Sequence, residues 1–224
     1  MSRDSWATPM AVYMAMDREF DFCGDMCADD GNAKHPLYIT EADDALTTAT
    51  IERVVSLIPS GNYVWINPPY SNTPPWVALA IQLQERGIGS VMLAMDDSSV
   101  GWYWDALQRC NEIREVVKGR IAFVNSETGL PVSGNNKGSK FLMFDPYGRQ
   151  SPPRRTYIER DQLMQGGGEL MQRPDLLFPQ SSEQVPLSPD IEPVSPELPA
   201  PAPVESEPKN EFTPDDLHHN NTGY

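Results

Sequence analysis

The sequence predicts an α/β fold with a doubly wound, mainly parallel sheet and an antiparallel pair of strands at its C-terminal edge. Short apolar runs, such as Tyr63–Ile66 and residues 88–95, have the length and composition of buried strands. A helical segment over residues 74–86 separates them, beginning at two prolines and ending before a glycine. Strands that alternate with helices favour a parallel sheet. Residues 120–124 and 140–144 alternate like the two strands of a hairpin and predict the antiparallel edge.

The other elements are predicted from local signals along the chain. Thr8 is expected to cap a helix whose first position is Pro9 and which ends near Arg18. Residues 20–25 read as a short strand ending in a glycine and an aspartate, the usual place of a ligand-binding turn in a first βα unit. The remaining expectations are a helix over 100–110, a strand over 113–117 and a short helix over 157–165 that Gly166, Gly167 and Gly168 terminate.

Composition divides the 224 residues into three parts. Ten of the 22 prolines fall within residues 179–224, where Ser and Glu are also frequent and apolar residues are few. Such a segment cannot bury enough apolar surface to fold, so we expect it to be disordered. The predicted organisation is a folded domain over 1–147, a partly helical extension over 148–178 and an acidic tail over 179–224.

The same survey excludes several classes of protein. No apolar run approaches the roughly 20 residues that cross a bilayer, and the N-terminus lacks the apolar core of a signal peptide. The cysteines, Cys23, Cys27 and Cys110, are odd in number, which argues against a disulfide framework. Cys23 and Cys27 with His35 lack a fourth ligand at metal-like spacing, so no metal site is predicted. We therefore expect a soluble cytoplasmic protein without membrane contacts.

Charge is distributed unevenly along the chain. The formal net charge is −15, yet residues 118–160, the basic segment, carry 8 basic and 3 acidic side chains. A solvated surface is one interpretation. We favour contact with nucleic-acid phosphates, because residues 133–140 combine lysines with Gly, Asn and Ser in a loop that backbone phosphates can approach. The candidate DNA contacts are Lys118, Arg120, Lys137 and Lys140.

The sequence Asn67-Pro68-Pro69-Tyr70 directly follows the predicted strand Tyr63–Ile66. Ligands of open α/β sheets bind beyond the carboxyl ends of strands. The side-chain carbonyl of Asn67 and the backbone carbonyl of Pro68 are acceptors that can hold both hydrogens of an exocyclic amino group. Tyr70 offers a flat face on which a base can stack. The alternative is a Pro-Pro turn that merely ends a core strand.

These four residues resemble the Asn-Pro-Pro-Tyr motif of amino-group methyltransferases that use S-adenosylmethionine. With their surroundings, residues 6–147 resemble the phage-type DNA N6-adenine methyltransferase (Dam-like) family. The cofactor turn precedes the motif, as in members without a large separate recognition domain. The similarity also rests on Thr8-Pro9, Phe20-Asp21, residues 25–28, Asp44-Ala45-Leu46, Pro75-Trp76-Val77, Trp102, residues 119–123 and residues 138–140.

The resemblance implies a sheet of the S-adenosylmethionine-dependent methyltransferase type. It also implies methyl transfer to N6 of adenine in DNA, inside a bacterial cell or a phage-infected host, where such enzymes serve restriction-modification. The implied catalytic residues are Asn67, Pro68, Pro69 and Tyr70. The implied cofactor contacts are Trp6, Thr8, Pro9, Asp21, Cys23, Gly24, Asp25, Asp44 and Leu46, with Asp44 as the acid that binds the cofactor adenine. The chain departs from the family pattern after Gly24, where a second glycine is absent.

Two other functions fit the same residues. One is amino-group methylation of protein glutamine or of RNA, which uses the same motif chemistry. The other is a non-catalytic protein that binds the cofactor.

Overall fold

The structure is a computed structural model that describes residues 6–125, 128, 130–132, 137–149 and 151–171, without the side chains of residues 169–171. The predicted tail over 179–224 and residues 133–136 of the basic loop lie outside the described residues. The strands are β1 (Trp6–Ala7), β2 (Phe22–Asp25), β3 (Tyr63–Ile66), β4 (Gly89–Met95), β5 (Glu112–Val117), β6 (Val124–Asn125), β7 (Ser139–Phe144) and β8 (Arg154–Glu159). The helices are α1 (Met10–Phe20), α2 (Thr48–Leu57), α3 (Pro74–Glu85), α4 (Gly101–Arg109) and α5 (Arg160–Met171).

Six strands form one sheet in the order β2-β3-β4-β7-β5-β8. The pairs β2–β3, β3–β4 and β5–β8 are parallel, whereas β7 runs antiparallel to both β4 and β5. The prediction of a mainly parallel sheet is confirmed. The prediction of an antiparallel C-terminal edge is wrong, because β7 lies inside the sheet and the edge strand β8 is parallel to its neighbour. All six residues of β7 are buried, as an interior strand requires.

The expected hairpin between residues 120–124 and 140–144 does not form. Of the first segment only Val124 is in a strand, and with the following Asn125 it pairs antiparallel with Ala7 and Trp6 in a separate two-stranded sheet. Ile121 and Phe123 are instead buried side chains of the core. This pairing brings the first strand of the chain next to residues more than a hundred positions later.

The core lies between the sheet and the helices that cover it. Alternate strand residues such as Trp65, Val91 and Phe141 pack in one buried cluster with α1 and α5 residues, including Tyr13 and Leu163. Residues between them point to the opposite face of the sheet, where α3 packs on β4 and contacts α4. Among the described residues, the structure has no helix that combines the length and the apolar character needed to span a membrane.

Helix α1 begins one residue later than predicted, at Met10 rather than at Pro9. Pro9 is the N-cap and makes no side-chain capping bond, so Thr8 does not cap this helix. The helix ends at Asp21, a left-handed residue (φ 50°) whose N–H donates to Asp17 O. Helix α2 was not predicted, although Thr47 caps it in the usual way by accepting a hydrogen bond from the N–H of Thr50.

Residues 151–171 complete the sheet and its helical cover. Residues 157–159, the first of the predicted helix over 157–165, belong to β8, whereas the rest of that helix forms as the start of α5, which packs against α1. The helix also continues through Gly166 and Gly168, which were expected to end it. Gly167 faces α1 so closely that an added Cβ would lie 1.7 Å from Ala11 O. A domain boundary at residue 147 therefore does not coincide with an end of the sheet.

Candidate active site

A cavity of about 670 Å³ opens beyond the carboxyl ends of β2 and β3. Four segments of the chain line the cavity. They are β1 with Thr8, the end of β2 with its following loop, the turn before α2, and the end of β3 with its following loop and the start of α3. The lining residues are Trp6, Ala7, Thr8, Asp25, Cys27, Ala28, Asp29, Asn32, Lys34, Ile39, Thr40, Glu41, Asp44, Ala45, Leu46, Trp65, Asn67, Pro68, Pro69, Tyr70, Asn72 and Trp76. All four residues of the predicted catalytic motif are among them.

The Asn67 side chain is oriented by contacts at both of its polar atoms. Its Nδ2 donates to Trp6 O at 3.4 Å, and its Oδ1 accepts from the Tyr70 hydroxyl at 3.5 Å. An amide oxygen has two lone pairs, so Oδ1 can accept a second hydrogen from a ligand. Burial raises the pKa of Tyr70 far above that of an ordinary phenol, so its hydroxyl stays protonated. The motif therefore presents a fixed acceptor beside a neutral aromatic ring.

The aromatic side of the cavity depends on the small sheet of β1 and β6. The Trp6 ring stacks on the Phe123 ring with centroids 5.7 Å apart. Phe123 in turn makes a T-shaped contact with the Tyr70 ring, with centroids 5.7 Å apart. Trp6 and Tyr70 line this wall of the cavity, and the buried Phe123 ring joins them from behind. Residues 6 and 123 support the ring that the motif offers to a base.

Thr8 lies in the cavity wall rather than at the helix cap. The residue is 2% exposed, and its Oγ1 has no hydrogen-bond partner among the residues that the structure describes. A buried hydroxyl without a partner is costly, so such a group is often satisfied by a ligand. The predicted contact between Thr8 and a cofactor is compatible with this position.

We expect Thr8→Val to separate stability from ligand binding. Valine has nearly the same shape and removes the unsatisfied hydroxyl, so the ligand-free protein should become more stable by about 1 kcal/mol. Affinity for S-adenosylmethionine, the cofactor that the family resemblance implies, should fall at the same time, because valine has no hydroxyl to contact it. Thermal melting and calorimetric titration measure the two effects. Thr50→Val is the control, since Thr50 Oγ1 already donates to Asp43 O and its loss should only destabilise. A Thr8→Val protein with unchanged cofactor affinity would contradict this role.

Asp25 ends β2 and organises the loop that follows. The residue is 2% exposed, and its carboxylate accepts hydrogen bonds from the N–H groups of Cys27 at 3.3 Å and Lys34 at 3.1 Å. Burial nevertheless raises the pKa of Asp25 to about 7. Burial also lowers the pKa of Lys34 and raises that of the Cys27 thiol to about 12. The carboxylate therefore lies where a cationic ligand would favour its charged form.

The two adjacent aspartates before α2 have different positions. Asp43 accepts from both the N–H and the hydroxyl of Thr40 and pairs with Arg53 at 3.6 Å, so it holds the turn together. Asp44 is exposed, adopts a left-handed backbone (φ 50°) and lines the cavity with Leu46, whose N–H it binds at 3.1 Å. Asp44 is thus the one of the pair that can contact a ligand in this cavity.

Four of the predicted cofactor residues lie outside the cavity lining. Pro9 begins α1, Asp21 ends it, and the Cys23 thiol is directed at Asp21 O at 3.8 Å. An added Cβ on Gly24 would meet Met26 Cε at 2.9 Å and Ile58 Cδ1 at 3.4 Å, so this glycine accommodates core packing. No group of three or more metal-binding side chains occurs in the described part of the chain.

Several lining residues were not predicted. Lys34, Asn32, Glu41 and Asn72 line the cavity but belong to no simple local pattern, and Trp76 lines it although it contributed only to the family resemblance. The sequence did offer one signal for Lys34, because it is the one Lys or Arg between Arg18 and Arg53, in a segment rich in acidic residues. Trp76 could have been placed from the helix that starts two residues earlier, close behind the motif.

The candidate DNA contacts divide into two groups. Lys118 and Arg120 follow the carboxyl end of β5, at the same edge of the sheet as Asn67, and both are exposed. Lys118 Nζ pairs with Glu159 at 2.5 Å on the surface, and Lys137 Nζ pairs with Asp97 at 2.5 Å. Lys140 differs from its prediction, because its side chain is 1% exposed, pairs with Asp96 at 2.7 Å and lies 4.1 Å from the Tyr103 ring centroid. Its ammonium group is paired inside the fold and is not presented to solvent.

Comparison with known proteins agrees with this arrangement. The family model for DNA N-6-adenine-methyltransferase (Dam) matches residues 1–170. The chain is 31% identical over 170 residues to a DNA N-6-adenine-methyltransferase of Haemophilus phage HP1, covering 74% of this chain and 92% of that protein. It is also 31% identical over 152 residues to a DNA N-6-adenine-methyltransferase of Escherichia phage T1, covering 61% of this chain and 60% of that protein. The chain belongs to the DNA N-6-adenine-methyltransferase (Dam) family.

Proposed function

We propose that this protein transfers a methyl group from S-adenosylmethionine to N6 of adenine in DNA, with Asn67, Pro68 and Tyr70 positioning the acceptor base. The observation that carries this proposal is the motif at the end of β3, where the Asn67 amide and the Tyr70 ring line one cavity with the predicted cofactor residues Thr8, Asp25 and Asp44.

The cavity is suited to the cofactor in size and in chemistry. Its volume of about 670 Å³ lies within the range of ~300–1,000 Å³ that is usual for small-molecule sites. Thr8 supplies a buried hydroxyl in need of a partner. Asp25, Asp29, Glu41 and Asp44 give the lining an excess of carboxylates, which suits a ligand that carries a sulfonium and an ammonium group. We assign Asp44 to the adenine amino group of the cofactor.

Positioning accounts for the catalytic contribution of the protein. The target adenine must leave the duplex, because its amino nitrogen is otherwise stacked and paired. Tyr70 then stacks on the base, while Asn67 Oδ1 and Pro68 O accept the two N6 hydrogens. The bound cofactor supplies an electrophilic methyl group. Two acceptors on the hydrogens leave the nitrogen lone pair available for attack, and alignment of this kind contributes ~7–11 kcal/mol in favourable cases.

DNA binding is proposed at the edge of the sheet that carries the motif. Replacing Lys118 and Arg120 with Ala should lower the salt slope of DNA binding by about 2, because each charge neutralises roughly one phosphate. Titration of DNA at several salt concentrations measures the slope. The control replaces Arg86 and Arg109, which follow α3 and end α4 at the opposite edge of the sheet, and should keep the parent slope. An unchanged slope in the Lys118/Arg120 variant would place the DNA surface elsewhere.

One assay tests the reaction and the competing functions together. The full chain is incubated with labelled S-adenosylmethionine and, separately, with unmethylated DNA, RNA and protein from a bacterial extract. Label in N6-methyl-2′-deoxyadenosine from the DNA, and in no product of the RNA or protein, is expected after digestion. Label in glutamine or in RNA would replace the proposed substrate. Cofactor binding without any transfer would favour a non-catalytic role.

A further inference from the structure

Lys34 gives the cavity a positive charge and is not among the residues that carry the family resemblance. It is the one basic side chain among the described residues of the lining, which also contains four carboxylates. The sequence around it is acidic, with Asp25, Asp29 and Asp30 within nine positions. A half-buried ammonium group loses hydration on folding. A cation held in such a cavity is therefore well suited to an anionic group of a ligand.

The loop before Lys34 is built to hold it in place. The backbone N–H of Lys34 donates to Asp25 Oδ2 at 3.1 Å, and Lys34 Nζ donates to Asn32 O at 2.5 Å. Asn32 is fixed in turn, because the N–H of Asp29 donates to its Oδ1 at 3.0 Å. An ammonium group has three hydrogens, and Asn32 O accepts one of them. The Lys34 head group is thus held at the cavity wall with donor capacity beyond its contact to the protein.

The charges of the proposed cofactor can be assigned to different parts of the lining. Carboxylates suit its sulfonium and ammonium groups, whereas its own carboxylate requires a donor of positive charge. Asp44 is assigned to the adenosine end, and Asn67 and Tyr70 are assigned to the target base. By elimination, Lys34 is assigned to the methionine end of the cofactor, together with Asp25 and Thr8. We propose that Lys34 binds the carboxylate of the methionine end of S-adenosylmethionine and makes the protein selective for ligands that carry it. This inference rests on the proposed function.

The test compares ligands that differ in this one group. Affinities are measured by calorimetry for S-adenosylmethionine, S-adenosylhomocysteine, decarboxylated S-adenosylmethionine and 5′-methylthioadenosine. Lys34→Met keeps most of the aliphatic stem and removes the charge. It should weaken the two ligands with a carboxylate by roughly 10- to 100-fold, the range for a hydrogen bond between charged groups, and leave the other two within about threefold. Lys34→Arg should restore most of the loss.

Controls separate a binding role from a structural one. Arg86→Met removes an exposed charge at the far end of α3 and should change none of the four affinities. Melting temperatures establish that each variant is folded, and Lys34→Gln replaces Lys34→Met if the latter is not. In the parent protein itself, S-adenosylmethionine should bind at least ~10-fold more tightly than its decarboxylated form.

Equal weakening of all four ligands, or none, would overturn the role of Lys34. So would a parent protein that does not distinguish the decarboxylated ligand. These results differ from failure of the proposed function, in which the parent would bind no S-adenosylmethionine or form no N6-methyladenine in DNA.

Discussion

Asn67→Ala is expected to lower methyl transfer by at least ~100-fold, the usual effect of removing one preorganised polar contact from a reacting group. The variant loses the acceptor for one N6 hydrogen and the 3.4 Å bond from Nδ2 to Trp6 O. Cofactor affinity should stay near normal, because the cofactor contacts are assigned to other residues. Single-turnover transfer to DNA and calorimetric titration of the cofactor measure the two quantities.

Two further variants define the origin of that loss. Asn67→Asp keeps an acceptor at the same place and should retain more activity than alanine does. Asn62→Ala removes an asparagine at the opposite end of β3, whose Nδ2 donates to Pro59 O at 2.9 Å, and should leave transfer unchanged. Full activity of Asn67→Ala would remove this side chain from the mechanism.

Gly167→Ala is expected to give the largest loss of stability. The new Cβ would lie 1.7 Å from the Ala11 carbonyl oxygen, a backbone atom that cannot move without shifting α1. We expect the free energy of unfolding to fall by at least ~3 kcal/mol, the upper end for overpacked sites. For a chain of this size that corresponds to a decrease in melting temperature of roughly 6–12 °C.

The neighbouring glycines provide matched controls for this substitution. An added Cβ on Gly166 or Gly168 meets no atom within 4 Å. Alanine is the better helix former, so either change should raise stability by about 0.5–1 kcal/mol. Thermal or urea unfolding of the three variants gives the comparison. Equal stability of all three would mean that α5 does not pack closely on α1.

The parts of the fold that the sequence predicted correctly have local causes. Strand β3 is an apolar run that two prolines end, and α3 starts at prolines and stops before Gly87. Because the motif directly follows β3, its place at the carboxyl edge of the sheet could be inferred. Thr8, Asp25 and Asp44 were placed through the family resemblance, and each lines the cavity.

The incorrect predictions concern interactions between distant residues. Residues 140–144 were predicted as one strand of an edge hairpin, but they belong to an interior strand, in which Asp96 and the Tyr103 ring accommodate the charge of Lys140. Three consecutive glycines normally disfavour a helix, yet contact with α1 stabilises α5 through them. Lys34 was overlooked because the cavity that it lines is assembled from several segments of the chain. The partners of Lys140 and of the α5 glycines are distant in sequence.

The two-residue strands β1 and β6 have a consequence for the order in which the protein folds. Pairing of Trp6 with Asn125 joins positions more than a hundred residues apart through a very short ladder. Such a closure carries a high entropic cost for few hydrogen bonds, so we expect it to form late and to open first. Native-state hydrogen exchange should detect opening of this wall at a lower free energy than opening of the six-stranded sheet. Ligand binding would then be coupled to the final local folding step.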